Sequence, residues 1–289
     1  MPDNLSPAAA PWFELPDHAL LALEGPDSTA FAHAQFANDV AALAAGHWQW
    51  NAWLTPKGRV IALFALLKRA EDRLLLLLPD ADPATMQEQL QRFVFRRKVQ
   101  VFRPPGLQVS AAFSAPVSAA GARIGLAGDA IELDYGDGSE ARSLRIAATA
   151  EAPAGTTGID RWRASDLRHG LPRLGAAQRE QWTPQQLSLE RLNAFSVKKG
   201  CYPGQEIVAR THFLGKAKRG LALFQANAVV APGTDISDGQ QVLGKVLCVA
   251  EGTGGAVLLA VLPSDRGNAT LRAQERVLGE LPLMDGLQR

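Results

Sequence analysis

The sequence predicts an α+β protein with a small C-terminal β-barrel, and three features carry that reading. In the N-terminal third, strand-like apolar runs follow one another through short turns instead of alternating with helices, which argues against a regular βαβ wheel. Two segments with apolar residues at helical spacing, each opened by a capping residue or a proline, interrupt those strands. From Gly220 onward the chain changes to short strands separated by Pro-Gly, Asp-Gly and Gly-Gly signals, the pattern of a closed barrel. With 289 residues, 47% apolar and 20% charged, the chain can bury a sizeable core.

Met1 to Pro16 is rich in Pro and Ala and reads as a loose arm. His18–Glu24 is the first predicted strand, closed by Gly25-Pro26. Asp27 or Ser28 then caps a helix to about Ala37, with Phe31, Ala34 and Gln35 at helical spacing. Gly46–Leu54 follows as a strand in which Trp48 and Trp50, two apart, share a face. In the turn Thr55–Gly58, Pro56 presets one backbone angle and Gly58 frees another. Strands Val60–Leu67 and Arg73–Leu78 come next, joined near Glu71-Asp72. A helix from Pro83 to about Arg97 presents Met86, Leu90, Phe93 and Val94 to the core, and Val99–Phe102 returns as a strand.

Gly106–Ala150 is rich in Ala and Gly, with weak strands near Leu107–Phe113, Ala130–Tyr135 and Leu144–Ala147. Ala152–Gly158 reads as a loop or linker, after which Asp160 caps a short helix ending at Gly170-Leu171-Pro172. Barrel strands are expected at Leu221–Gln225, Gln241–Val249, Ala256–Leu262 and Arg276–Leu281. Four units follow: an α+β unit over 17–105, a middle α+β segment and linker over 106–158, a motif segment over 159–219, and the barrel over 220–289.

Thirty basic against 29 acidic residues give a net charge of +1, so no global field draws the protein to nucleic acid or membrane. The distribution is uneven: Ile159–Gly220 carries twelve Lys/Arg and five Asp/Glu. That points to an anionic partner or to a solvated basic face. A second basic strip, Arg92, Arg96, Arg97, Lys98 and Arg103, is interleaved with Phe93, Phe95 and Phe102 and has the look of an RNA-binding pattern. Phe93 sits at core spacing on the predicted helix, which favours a solvated helix face instead. The first Lys or Arg is Lys57, which leaves no basic region for a secretory signal, and the apolar runs fall far short of a bilayer span. The expectation is a cytoplasmic protein with no membrane partner. Two cysteines, Cys201 and Cys248, cannot build a four-thiolate metal site within one chain, and the five histidines show no ligand spacing.

The most informative stretch is Val197-Lys198-Lys199-Gly200-Cys201-Tyr202-Pro203-Gly204-Gln205-Glu206-Ile207-Val208-Ala209-Arg210-Thr211. Gly200, Pro203 and Gly204 make a tight turn. Ile207, Val208, Thr211 and Leu214 follow at helical spacing until Gly215 ends the helix. Cys201 thus lies just ahead of a helix N-terminus behind two lysines, a setting that favours thiolate. Such a thiolate could be a nucleophile, a redox group or a metal ligand; a buried, inert cysteine is the alternative. Cys248, within an apolar strand, reads as core.

Lys199-Gly200-Cys201-Tyr202-x-Gly204-Gln205-Glu206 resembles the signature of the YgfZ family of folate-binding proteins. Gly170-Leu171-Pro172, Thr183-Pro184-Gln185, Val208-Ala209-Arg210-Thr211, Gly215-Lys216-x-Lys218-Arg219, Phe31-x-x-x-Gln35-x-x-x-Asp39-Val40 and Lys57-Gly58-Arg59 are further landmarks, so nearly the whole chain is covered except about 106–150. The resemblance implies the three-domain fold of the glycine-cleavage T-protein, arranged around a central channel that takes tetrahydrofolate. It also implies a role in assembling or repairing certain iron–sulfur enzymes, with assembly proteins or client enzymes as partners. tRNA modification by methylthiolation would depend on it only indirectly. Trp162 corresponds to a folate-contacting tryptophan of the family, and His18 falls at the position of a second. Cys201 would be the reactive thiol or a ligand to a transient cluster shared with a partner. Gln186-Leu187-Ser188-Leu189 departs from the family pattern, where an Asn commonly precedes the Leu.

On physical grounds, an indole such as Trp162 could stack on a flat pterin, and Arg161, Arg163, Arg168 and Arg173 could receive an anionic glutamate tail. A helix-face core role for Trp162 competes with this, and the Trp48, Trp50 and Trp53 cluster reads as packing. Two rival functions remain. One is a folate-dependent aminomethyltransferase like the T-protein, although its G-Y-T-G-E-type motif is absent. The other is a direct tRNA-binding module using the basic 159–220 region.

Overall fold

Strands that are apolar on both faces need cover on both sides, and the leucine-rich N-terminal strands receive it. In a computed structural model, which describes residues 12–148, 156–215, 217–252, 254–267 and 269–289, they form an antiparallel five-stranded sheet. Its strands are β2 (Ala19–Glu24), β3 (His47–Leu54), β4 (Val60–Ala70), β5 (Arg73–Leu78) and β6 (Gln100–Phe102), in the order β3-β4-β5-β2-β6. The two-residue period sorts the side chains. Leu21, Leu23, Phe64, Leu66, Leu74 and Leu76 face helices α1 (Ser28–Gln35) and α2 (Pro83–Gln91), while Trp48, Trp50, Leu63, Ala65, Leu75 and Leu77 face the centre of the molecule.

A second antiparallel sheet closes the centre from the other side. It consists of β1 (Phe13–Glu14), β7 (Gln108–Ala112), β8 (Gly125–Ala127), β9 (Ala130–Asp134) and β10 (Ser143–Ala147), in the order β1-β7-β10-β9-β8. Val109, Ala111, Ile131, Leu133, Leu144 and Ile146 join the same core as the tryptophans. Helix α3 (Thr156–Arg168) runs through this core, with Trp162 and Leu167 fully enclosed.

The third sheet is an all-antiparallel, nearly closed barrel in the order β16-β15-β12-β13-β14-β11-β17. Its strands are β11 (Arg219–Ala226), β12 (Asp235–Ser237), β13 (Val242–Gly252), β14 (Gly255–Pro263), β15 (Arg272–Ala273), β16 (Arg276–Val277) and β17 (Gly279–Leu281). On β14, Leu258, Ala260 and Leu262 fill the barrel interior, whereas Val257, Leu259 and Val261 look outward and join the central core beside α3. One strand therefore serves two cores. Among the described residues no helix is long and apolar enough to cross a membrane.

Several expectations are corrected. Residues 1–11 of the expected loose arm lie outside the described residues, but Phe13-Glu14 pairs with β7 and Leu15 is 1% exposed, so this part is an edge strand. α1 stops at Gln35 rather than Ala37. α2 stops at Gln91 rather than Arg97, because the chain breaks into turns and Phe95 adopts φ +46°; Phe93, expected in the core, is exposed. Of the expected linker, 152–155 lie outside the described residues and Gly158 is helical; α3 begins at Thr156, so Asp160 sits inside it rather than capping it. The Arg276–Leu281 strand is split into β16 and β17, and β8, β12 and β15 are too short to show periodicity.

Candidate functional site

The signature loop leads into α4 (Gln205–Leu214), and Lys199, Tyr202, Gly204 and Gln205 hold the loop in place. Lys199 was expected beside the Cys201 thiolate. It turns inward instead, 6% exposed, and its Nζ donates to the carbonyls of His33, Phe36 and Asn38, the last two at 2.6 and 3.2 Å. A cation on the carbonyls at the end of α1 serves as its C-terminal cap. Burial brings this ammonium down to about 8, with the charge of Asp39 opposing. The Lys199 ammonium also lies 4.8 Å from the Tyr202 ring, and Tyr202 is buried with its hydroxyl donating to Ser196 O at 3.1 Å. Gln205 Nε2 donates back to Lys199 O at 3.2 Å.

Gly204 has φ +81°, and a Cβ there would stand 2.6 Å from Thr55 O and 2.7 Å from Gly58 Cα. The Thr55–Gly58 turn and the signature loop thus meet glycine to glycine. Gly200 has open space around it, so nothing steric requires glycine there. Glu206 is exposed in the first turn of α4. Cys201 is left exposed on top of this pedestal, so the inert, buried alternative does not apply to it. The expected apolar face of α4 is reduced to Val208: Ile207 is 38% and Leu214 82% exposed. Cys248 is buried, accepts a hydrogen bond from Arg173 N at 3.4 Å, and burial pushes its thiol up to about 12.

Trp162 lies in an aromatic cluster with Phe13, Phe113 and Tyr135, their ring centroids 5.6–6.2 Å away, and the Arg142 guanidinium sits 4.6 Å from its ring. Its ring is therefore enclosed by protein. What it leaves unsatisfied is its indole N–H, and Arg142 Nη2 beside it also lacks a partner. Arg142 pairs with Asp166 at 2.8 Å, Asp166 with Arg173 at 3.1 Å, and Arg173 lies 3.7 Å from Asp17, which meets His18 Nδ1 at 2.9 Å. His18 and Trp162 thus stand at the two ends of one buried chain of ion pairs. Burial holds His18 below its ordinary range, so its imidazole is neutral.

Three of the four arginines read as a landing site for an anionic tail are already matched: Arg161 by Glu140, Arg163 by Asp17, and Arg173 by Asp166. Of these four, Arg168 alone is both exposed and without an ion pair among the described residues. Arg142 and Asp166 were not singled out in the sequence; Arg142 falls in the weakly patterned middle, and a buried arginine has no spacing signal.

The centre is completed by the segment after β17. Trp50 Nε1 donates to Leu287 O at 2.7 Å. The Arg289 guanidinium lies 5.4 Å from the Trp48 ring and donates to Asp134 O and Gly136 O at 3.0 and 2.8 Å.

Two sheets enclosing α3 and a barrel docked on it define the fold of the glycine-cleavage aminomethyltransferases. The solved aminomethyltransferase T of Bartonella henselae superposes with a TM-score of 0.72 at 15% identity, over 96% of this chain and 87% of that one. By sequence the chain is similar to proteins named YgfZ. It is 28% identical to the tRNA-modifying protein YgfZ of Yersinia pseudotuberculosis, over 93% of this chain and 89% of the relative. An uncharacterized protein of Haemophilus influenzae is 28% identical over 74% of this chain and 73% of its own length. No family model matches the chain.

Proposed function

We propose that the protein binds tetrahydrofolate and serves as an accessory factor in assembling or repairing certain iron–sulfur enzymes, supporting tRNA modification indirectly. The observation that carries this reading is the construction of the signature loop. Lys199, Tyr202, Gly204 and Gln205 are spent on fixing the backbone, and the Cys201 thiol is presented to solvent between the exposed Gly200 and Glu206. A thiol held on a rigid mount and reachable by another macromolecule suits a ligand or nucleophile that acts on a partner's cluster. The cluster is then cargo, its remaining ligands supplied by the assembly protein or client. An exposed free thiol persists in the reducing cytoplasm, where the protein would work.

Tetrahydrofolate suits the other half of the site by its chemistry. The enclosed donors Trp162 Nε1 and Arg142 Nη2 lack acceptors, and unpaired buried donors cost roughly 1–3 kcal/mol each. A pterin carbonyl or ring nitrogen would satisfy them. Trp162 and Arg142 would hold the folate, with Asp166 fixing the guanidinium; neutral His18 lies at the far end of the same ion-pair chain.

Two experiments test the two halves separately. In cells lacking the native copy, Cys201→Ser should fail to restore activity of iron–sulfur enzymes, including a tRNA methylthiotransferase; full restoration would sink the thiol role. Tetrahydrofolate should quench the tryptophan fluorescence of the purified protein. Trp162→Phe, which keeps a ring and removes the N–H, should weaken binding by roughly 1 kcal/mol or more. Unchanged affinity would sink the folate assignment of Trp162.

A further inference from the structure

The strip that follows α2 contradicts the ground on which its sequence reading rested. Phe93 is 43% and Phe95 86% exposed, whereas Val94 between them packs into the core under α2. Phe102, the third aromatic of the strip, is partly buried against the central core and takes no part. Phe95 has φ +46°, a left-handed conformation that is strained for a bulky residue and here holds its ring in water.

Arg96, Arg97 and Lys98 are exposed on the same turn as these rings and Arg103 is exposed beyond β6, and none has an ion-pair partner among the described residues. Arg92 is paired with Glu88 at 2.5 Å. The segment is anchored rather than loose. Arg97 N donates to Val94 O at 2.9 Å and Lys98 N to the Asp27 carboxylate at 2.6 Å, and Val99 is buried. Two exposed rings and three unpaired cations on one fixed turn, with a fourth cation beyond β6, are thus left without an intramolecular purpose.

We propose that residues 93–103 form a binding site for single-stranded nucleic acid, separate from the Cys201 loop and independent of the function proposed above. Bases of a single strand offer free π-faces to Phe93 and Phe95, and the guanidinium and ammonium groups track its phosphates. A duplex hides its base faces in the stack and would engage the cations alone.

The test is fluorescence anisotropy with the full chain and fluorescein-labelled U12 and dT12 strands, against a 12-base-pair duplex. Tighter binding of a single strand than of the duplex is expected, weakening steeply with salt. Phe95→Gly removes the ring and relieves the left-handed backbone, so it should leave the melting temperature unreduced while weakening binding roughly tenfold. Reversing Arg96 and Arg97 to Glu should flatten the salt dependence by about 0.7 in log–log slope per lost contact. Equal binding by Phe95→Gly, equal affinity for duplex, or no binding of either strand would overturn the proposal. Displacement of the strands by polyglutamate at equal charge concentration would also overturn it and assign the patch to an acidic protein.

Discussion

A side chain's sequence neighbours say little about which way it points, and Lys199 is the clearest instance here. Its place before Cys201 suggests an ammonium beside a thiolate, but the ammonium caps α1 from within. Replacing it with Met should leave the carbonyls of His33, Phe36 and Asn38 short of a donor. The expected cost is about 1–3 kcal/mol in denaturant unfolding. The two thiols should separate cleanly. Iodoacetamide is expected to modify Cys201 in the folded protein at once and Cys248 only on unfolding, because Cys248 is enclosed and its thiol pushed up to about 12. Peptide mapping that found both labelled equally in the native state would contradict the burial described here. The signature residues were legible as a set; the division of labour among them was not, since it depends on contacts with a turn and a helix more than 140 residues earlier in the chain.

At the scale of elements, legibility follows length and periodicity. β3, β4, β5 and β14 announce themselves as long apolar runs because both faces are covered, and Trp48 and Trp50 share a face as their spacing requires. Two- and three-residue strands such as β1, β12 and β15 carry no period and are recruited by neighbours already in place. The end of α2 is hidden in the sequence because Phe93 and Val94 continue the helical spacing while the backbone does not. The contact between the Thr55–Gly58 turn and the signature loop yields a sharp expectation. Gly204→Ala adds a left-handed penalty and a clash with backbone atoms that cannot rotate away. It should destabilise the protein by about 2–4 kcal/mol, read as a fall in the unfolding midpoint. An alanine accepted without loss would mean the two loops are not in contact.

For the molecule as a whole, two carboxylates held by hydrogen bonds set the response to acid: Asp17 in the ion-pair chain, and Asp137 outside it, which meets His169 Nε2 at 3.0 Å. Burial alone would raise Asp17 and Asp137. Hydrogen bonds from His18 and Arg163 and the charge of Arg173 for the first, and those from Glu140 N, Ser139 and His169 for the second, hold both well below the ordinary carboxylate range. The folded state therefore binds these protons more weakly than the unfolded chain. Their contribution is fully present above about pH 4 and is lost as the pH falls toward their folded values. Thermal unfolding between pH 5 and pH 2 should show a steep loss of stability. Asp137→Asn should be less stable at neutral pH and flatter over that range. A parallel profile for the variant would remove Asp137 from the account.

The tie between Trp50 and Leu287 has a consequence in time rather than in space. Its partners are 237 residues apart, and the aromatic centre around it draws on residues from Phe13 to Arg289. Closing so long a loop is entropically expensive and comes late, after local hairpins such as β4–β5 have formed. A chain emerging from the ribosome would thus hold paired but unsealed sheets, with Trp48 and Trp50 wet until the closing segment arrives. Refolding followed by tryptophan fluorescence should accordingly show a slow final phase, and a chain cut after Leu281 should keep its strands by circular dichroism yet never reach that last change in signal.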